Sequence, residues 1–129
     1  MSGIPFVHGS AKIQIPWHLT LFHRACIGER VQVYSLGEIE IKGSATIAQE
    51  VYLCAGTHDF NDSSFQLITK KITIEDSAFV GVRAMIMPGV TIGKKAIVGA
   101  QSVVTKNVKP DQIVAGNPAR EIGLRKISI

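Results

Sequence analysis

The sequence predicts an all-β fold, a parallel β-helix wound as a three-sided prism, and three observations predict it. From Ile74 to Lys109 the chain repeats in sixes: IEDSAF, VGVRAM, IMPGVT, IGKKAI, VGAQSV, VTKNVK. The first position of each hexad is Ile or Val (Ile74, Val80, Ile86, Ile92, Val98, Val104). The fifth is small or β-branched (Ala78, Ala84, Val90, Ala96, Ser102, Val108). A helix repeats every 3.6 residues and a strand every two, so neither yields a period of six. A hexapeptide that forms one short flat side and a turn does, and three of them close a triangular coil.

Each element follows from this frame. The first position is apolar because it points into the narrow prism, where coils stack about 4.8 Å apart. The fifth is small because three sides converge there. Gly81, Gly89, Gly93, Gly99 and the polar residues fall at corners and on the outer surface. Upstream, the guide positions read Ile15, Leu21, Ile27 and Val33, then Ile41, Ile47 and Leu53. Two residues are extra between Val33 and Ile41, and fifteen between Leu53 and Ile74. Counting sides in threes puts the hexads at 15, 33, 53, 86 and 104 on one side, so both insertions leave the same corner, one coil apart. The second insertion is a protruding loop near 57–73, HDFNDSSFQLITKK. Long loops in compact folds are uncommon and usually functional.

Residues 1–12 fit the hexads poorly and are expected to form an irregular N-terminal cap, and 110–129 a tail that caps the other end, with a short helix near Arg120–Lys126. The 129 residues form a single domain. Roughly four and a half coils give a prism about 20 Å tall. Its flat sides need covering, which makes a homo-oligomer the expectation, with three prisms side by side the natural closed arrangement.

Composition narrows the function. A chain that is 46% hydrophobic and 19% charged suits a packed interior. No apolar run approaches the roughly 18 residues that span a bilayer, and the start, MSGIPFVHGSAK, lacks the basic and apolar regions of a signal peptide, so the cytoplasm is the expected compartment. Cys26 and Cys54 make no disulfide framework and read as reduced thiols. The net charge of +4 is uneven: residues 1–69 hold four Lys/Arg against six Asp/Glu, residues 70–129 ten against four. A basic half attracts nucleic acid, an anionic lipid face or a phosphorylated small ligand. With Phe79 its only aromatic to stack a base, nucleic acid is the weakest of these.

His58 leads the candidates for chemistry. It ends the hexad LCAGTH at the corner where the long loop departs, behind Gly56. An imidazole titrates near neutrality and accepts a proton from a hydroxyl. Asp59 follows and is a candidate to orient the ring; a purely structural loop histidine is the alternative. Cys54, four residues earlier, invites a thiol-nucleophile reading, but its hexad phase marks it as a small packing residue. Trp17, beside Pro16, reads as packing at a corner, and His18, at the corner of the insertions, as a side chain within reach of a ligand bound there.

The hexads, the segment YLCAGTHDF and the tail VVTKNV…IVAGNPAR resemble the left-handed β-helix, hexapeptide-repeat acyltransferases. Within that family the chain is similar to the galactoside, maltose and xenobiotic O-acetyltransferases, and IPWHL, VYSLGEIEI and YLCAGTHDF sit closest to the colanic-acid-biosynthesis type. The likeness runs from about Ala11 to Ile122. It implies a left-handed winding, acetyl-CoA as co-substrate, a sugar or glycan acceptor, direct transfer without an acyl-enzyme, no metal, and sites between subunits of a homotrimer. It implies that His58 is the catalytic base and that the Gly81 N–H holds the oxyanion. By the same resemblance Phe79 and Ala100 are expected to flank the pantetheine arm. Thr105, Lys106 and Arg120 are expected near the adenine and phosphates, with Phe79 standing where many members have Trp. Ser35 stands near a position that often binds the acceptor, and Asp59 joins it there. His18 and His23 are spaced like a metal-binding pair of the γ-class carbonic anhydrases, another left-handed β-helix family, but His8 and His58 do not supply the third ligand in that family's order. A scaffold that keeps the motifs without activity is the non-enzymatic alternative.

Overall fold

Three short strands per coil make the three sides of a triangle, and the coils stack into a left-handed parallel β-helix. The computed structural model describes residues 3–127. Side I stacks Phe6–Val7, Cys26–Ile27, Thr46–Ile47, Phe79–Val80, Ile97–Val98 and Gln112–Gly116. Side II stacks Lys12–Ile13, Gln32–Tyr34, Tyr52–Cys54, Met85–Ile86 and Val103–Val104. Side III stacks Leu19–Leu21, Ile39–Ile41, Ile72–Ile74 and Thr91–Ile92, with Val108 bridging to Ile92. From Ile27 onward the guide residues Ile27, Val33, Ile41, Ile47, Leu53, Ile74, Val80, Ile86, Ile92 and Val98 are at most 1% exposed. Each fully buried aliphatic side chain of this kind contributes about 1.5–3 kcal/mol. The fifth-position residues Ala25, Val31, Ala45, Val51, Ala78, Ala84 and Ala96 complete the same core.

The turn at each regular corner is carried by the fourth hexad position. Arg24, Arg30, Ser44, Glu50, Ser77, Arg83, Lys95 and Gln101 all take positive φ between 54° and 61°. Those values lie in the left-handed region that L-residues enter at a cost of about 1 kcal/mol each, and the side chain then points to solvent. Of the four glycines expected at corners, Gly89 alone has positive φ. The others serve close approach. A Cβ on Gly93 would lie 2.5 Å from the Pro110 nitrogen, so the next coil could not stack there.

The registers correct the frame at the N-terminal end. Ile13, not Ile15, pairs in column with Val33 and Leu53. Phe6–Val7 pairs with Cys26–Ile27, so residues read as an irregular cap build the first coil. The misreading has a physical source: the segment Pro16–His18 forms a 3₁₀ turn that adds two residues between Ile13 and Leu21 and shifts the phase. Corner II–III therefore carries insertions in three successive coils, at Pro16–His18, at Ser35–Glu38 and at the long loop. At the other end the expected helix near Arg120–Lys126 is a strand, Ala119–Leu124, antiparallel to Gln112–Gly116. The exposed edge of side I needs a backbone partner, and the hairpin supplies it.

The stacking predicts a pair of glycine substitutions with opposite outcomes. Gly93→Ala overpacks the coil contact and lowers the melting temperature by about 4–10 °C. Gly123→Ala, with nothing within 4 Å of the added Cβ, leaves it nearly unchanged. Differential scanning calorimetry of the two variants checks both.

Candidate active site

The long insertion is a hairpin rather than an open loop. Gly56–His58 pairs antiparallel with Leu67–Thr69, setting His58 opposite Leu67. Its base rests on the coil below. The Ala55 N–H donates to the Tyr34 carbonyl at 3.1 Å and the Lys70 N–H to the Ala55 carbonyl at 3.1 Å.

His58 is exposed and is held from one side only. Its Nδ1 lies 2.9 Å from the Phe65 carbonyl oxygen. A carbonyl only accepts, so Nδ1 carries the proton and the Nε2 of the neutral ring is the free acceptor. The Phe65 ring stacks on the imidazole with centroids 4.7 Å apart and planes inclined by 12°. Phe65 itself sits at φ 54°, a left-handed conformation that a bulky side chain rarely adopts and that strains the backbone by about 1–3 kcal/mol. The turn before it holds it there. The Phe65 N–H donates to the Asp62 carbonyl at 2.9 Å, while the Asp62 carboxylate accepts from the Ser64 hydroxyl at 2.6 Å and the Ser64 N–H at 3.3 Å. Those bonds hold the Asp62 carboxyl below its ordinary value.

Phe65, Asp62 and Ser64 were missed in the sequence. The signal for the turn was present, since Asp followed two residues later by Ser is a turn-forming pattern. Nothing in the chain marked Phe65 as the partner of His58.

The structure corrects three expected roles. Asp59 does not orient the His58 ring: its Oδ1 accepts from the Asn61 N–H at 3.0 Å, and its own N–H donates to the Gln66 carbonyl. Ser35 does not face an acceptor. It is fully buried, and its hydroxyl both accepts from the Ile15 N–H and donates to the Ile15 carbonyl, each at 2.9 Å. The Gly81 N–H is not free to hold an oxyanion, because it donates to the Val98 carbonyl at 2.8 Å within the coil ladder. The next N–H along, that of the exposed Val82, has no acceptor among the described residues.

The remaining candidates fall on two edges of the prism. Phe79, 37% exposed, and Gly81 lie on side I and its corner with side II, and in the next coil Gly99 stands in register with Gly81 while the Ala100 backbone passes beside it. Thr105 and Lys106 follow Val104 on side II toward corner II–III, the corner of His58. Lys106 and Arg120 line one hollow of 270 Å³ with Asn107 and Gln112. A second hollow of 380 Å³ is lined by Glu75, Lys94 and Lys109 on side III. Neither reaches His58, so the chemistry and the concavity are separate within one chain. The flat side II lies between the edges, and its outer surface is polar at the first coils (Lys12, Gln14, Gln32) and apolar beyond them, where Tyr34, Tyr52, Cys54, Met85, Met87 and Val103 are all half-buried. Tyr34 and Tyr52 rings meet at 6.1 Å, and burial raises the Tyr52 hydroxyl above its ordinary value. Along corner I–II, Glu50 accepts from Arg30 at 2.8 Å and from Arg83, and both guanidinium groups lower its carboxyl.

The discounted residues are also placed. The Cys54 thiol donates to the Gly56 carbonyl at 3.1 Å, a packing contact. The His18 Nδ1 lies 2.8 Å from the Ser35 carbonyl, and the His23 ring lies against Gly43. Among the described residues no three His, Cys, Asp or Glu side chains cluster to hold a metal. Trp17, expected to pack at a corner, is instead 82% exposed. No helix among the described residues is long and apolar enough to cross a membrane.

The turn under His58 carries a pH signature. A carboxyl lowered on folding stabilises the turn above its unfolded value of 3.8 and loses that effect as pH falls through the still lower folded value. Amide hydrogen exchange is therefore expected to show the Ser64 N–H protected from neutral pH to below 3.8, and unprotected at neutral pH in Asp62→Ala.

Comparison with known proteins agrees with this fold. The family profile "Bacterial transferase hexapeptide (six repeats)" matches residues 71–106. A relative from Escherichia coli K12, WcaF, named for acetyl transfer in colanic acid biosynthesis, is 39% identical over 113 residues, 88% of this chain and 62% of its own length. A Schizosaccharomyces pombe relative named as an acetyltransferase is 36% identical over 69% of this chain and 44% of its own. The chain thus spans less than two thirds of the length of these curated relatives. Among solved structures, a hexapeptide-repeat acetyltransferase from Vibrio cholerae superposes with a TM-score of 0.87 at 28% identity, covering 95% of this chain and 72% of that one. The same protein's complex with acetyl coenzyme A superposes at 0.85 and 26% identity, covering 94% and 68%. Stacked hexads, corner turns and these matches together place the chain in the hexapeptide-repeat transferase family.

Proposed function

We propose that this chain is an O-acetyltransferase that moves the acetyl group of acetyl-CoA to a hydroxyl of a sugar or glycan precursor, with His58 as general base. The observation that carries the reading is the contact of the His58 Nδ1 with the Phe65 carbonyl oxygen, which assigns the tautomer. With Nδ1–H donated to the Phe65 carbonyl, Nε2 is the lone-pair nitrogen, exposed at a corner where an acceptor hydroxyl can reach it. The names of the relatives, acetyltransferases with one tied to an exopolysaccharide, support the donor and the acceptor class. So does the Vibrio cholerae structure, which holds acetyl coenzyme A.

The steps follow. The acceptor O–H donates to Nε2, and as the oxygen attacks the thioester carbonyl its proton passes to the imidazole. The imidazolium formed keeps its Nδ1–H bond to the Phe65 carbonyl and its stacking on the Phe65 ring. When the tetrahedral intermediate collapses, the C–S bond breaks and the CoA thiolate takes the proton from Nε2. Transfer is direct, so no acyl group rests on the protein. A carboxylate oxygen of Asp59 not engaged by Asn61 remains for an acceptor hydroxyl.

The donor's pantetheine arm lies at Phe79 and Ala100 on corner I–II, and its phosphate end reaches Thr105, Lys106 and Arg120 toward corner II–III. Lys and Arg bind phosphate well, and Lys106 and Arg120 already share a hollow. His58 and the Phe79–Ala100 edge are separated by side II, so the complete site forms between neighbouring prisms of a homotrimer, with the apolar part of the outer surface of side II as a covered face. The cytoplasm, where acetyl-CoA is made, is the compartment this reading requires.

Thiol release from acetyl-CoA in the presence of a panel of sugars tests the reading. His58→Ala is expected to lower turnover by about a thousandfold with a stable fold. Full activity in that variant, or a burst of free CoA without acceptor, contradicts the mechanism.

A further inference from the structure

Trp17 is the chain's single tryptophan and, at 82%, the most exposed large apolar side chain of the described residues. Leaving an indole in water forgoes burial worth about 25 cal/mol per Å² of apolar surface, so a free indole on a rigid support suits a ligand with an apolar face and a polar rim. The support here is rigid. The Pro16–His18 turn is closed by the His18 N–H on the Ile15 carbonyl at 3.0 Å. It is tied to the coil above through Ser35, whose hydroxyl bonds both backbone groups of Ile15 at 2.9 Å and whose carbonyl accepts from the His18 Nδ1 at 2.8 Å. A fully buried serine thus spends every bond it makes on holding this one turn.

The same bond fixes the chemistry of His18. Its Nδ1–H is spent on the Ser35 carbonyl, so the neutral ring presents Nε2 as an acceptor, as His58 does. The Trp17 and His18 rings stand edge to face, centroids 6.4 Å apart and planes at 75°. An apolar plate beside a hydrogen-bond acceptor matches a pyranose, which has a C–H face and a hydroxyl rim.

Position adds the length of the ligand. The Trp17 turn and the His58 hairpin leave the same corner, in coils that follow Ile13 and Leu53, with the Val33 coil between them. Two coil spacings set them about 10 Å apart along the prism axis, further than one sugar ring extends. We propose that Trp17 and His18 form a subsite for a second sugar ring, so that the acceptor is a saccharide of at least two residues whose reacting hydroxyl meets His58 while its neighbour stacks on Trp17. This rests on the acetyltransferase reading above.

Trp17 reports its own occupancy, because no other indole contributes to the fluorescence. Titration of the intact protein with glucose and galactose, and with maltose and lactose, is expected to give a saturable blue shift with at least one disaccharide and none with the monosaccharides. His58→Ala keeps the shift, since binding precedes chemistry. In steady-state kinetics Trp17→Ala raises KM for the disaccharide acceptor about tenfold or more, leaving the KM for acetyl-CoA and the rate on monosaccharides unchanged. His18→Gln, which retains an acceptor oxygen, loses less than His18→Ala. The subsite is overturned if Trp17 is already shielded from acrylamide in the ligand-free oligomer, which assigns it to a subunit contact. It is also overturned if acetyl-CoA rather than sugar shifts the emission, or if Trp17→Ala leaves KM unchanged on an acceptor that the wild type acetylates. A wild type that acetylates no sugar overturns instead the reading on which the subsite rests.

Discussion

Coil-to-coil hydrogen bonding is the constraint on which every other feature of this molecule depends. Each strand donates to and accepts from the strands above and below it, so a residue's column is fixed once its coil is placed. The guide side chains must also stay inside a core only one side chain wide. Extra residues then have a single outlet, the corners, and in this chain three successive coils use the same one. The 3₁₀ turn at Pro16–His18, the buried Ser35 and the His58 hairpin form a continuous edge because the register leaves them nowhere else to go.

On that edge the chemistry is set by local hydrogen bonds. His58 has one partner, a backbone carbonyl, and that partner decides which nitrogen is basic. The carbonyl is delivered by a phenylalanine in a left-handed conformation, pinned by the Asp62–Ser64 turn. Backbone strain of this kind persists where surrounding bonds over-determine it, and it clusters at working sites. His18 repeats the arrangement two coils away with the Ser35 carbonyl in place of Phe65. Two imidazoles oriented by the same device on one edge are what a ligand longer than a single sugar would use.

The fold was legible because its evidence is periodic. Ile or Val every sixth residue from 74 onward settles side, column and core without any long-range information. Legibility failed where the period breaks. A two-residue insertion before Leu21 made Ile15 look like a guide and hid the first coil, and no propensity signal separates such a slip from a cap. The C-terminal segment was read as helix because local sequence does not reveal that a sheet edge above it lacks a partner. At the site, His58 stood out by its place at the corner, but its orienting partner lies seven residues away across a hairpin and is a main-chain atom, which a sequence does not display. Ser35 and Gly81 illustrate the same limit: the family resemblance implied their roles, while their hydrogen bonds are consumed by the stacking itself.

The central claim is that a base on one edge meets a donor lane on another, across neighbouring subunits. Subunit complementation tests it most directly. His58→Ala and Ala100→Trp chains, each inactive alone, are mixed, dissociated and reassembled at equal ratio, and acetyl transfer is measured. In a closed ring whose sites each join His58 of one subunit to Ala100 of the next, random assembly restores about one quarter of wild-type activity. Activity that stays at the level of the separate variants, with mixed oligomers confirmed by mass spectrometry, would place both groups in the same subunit and contradict the account.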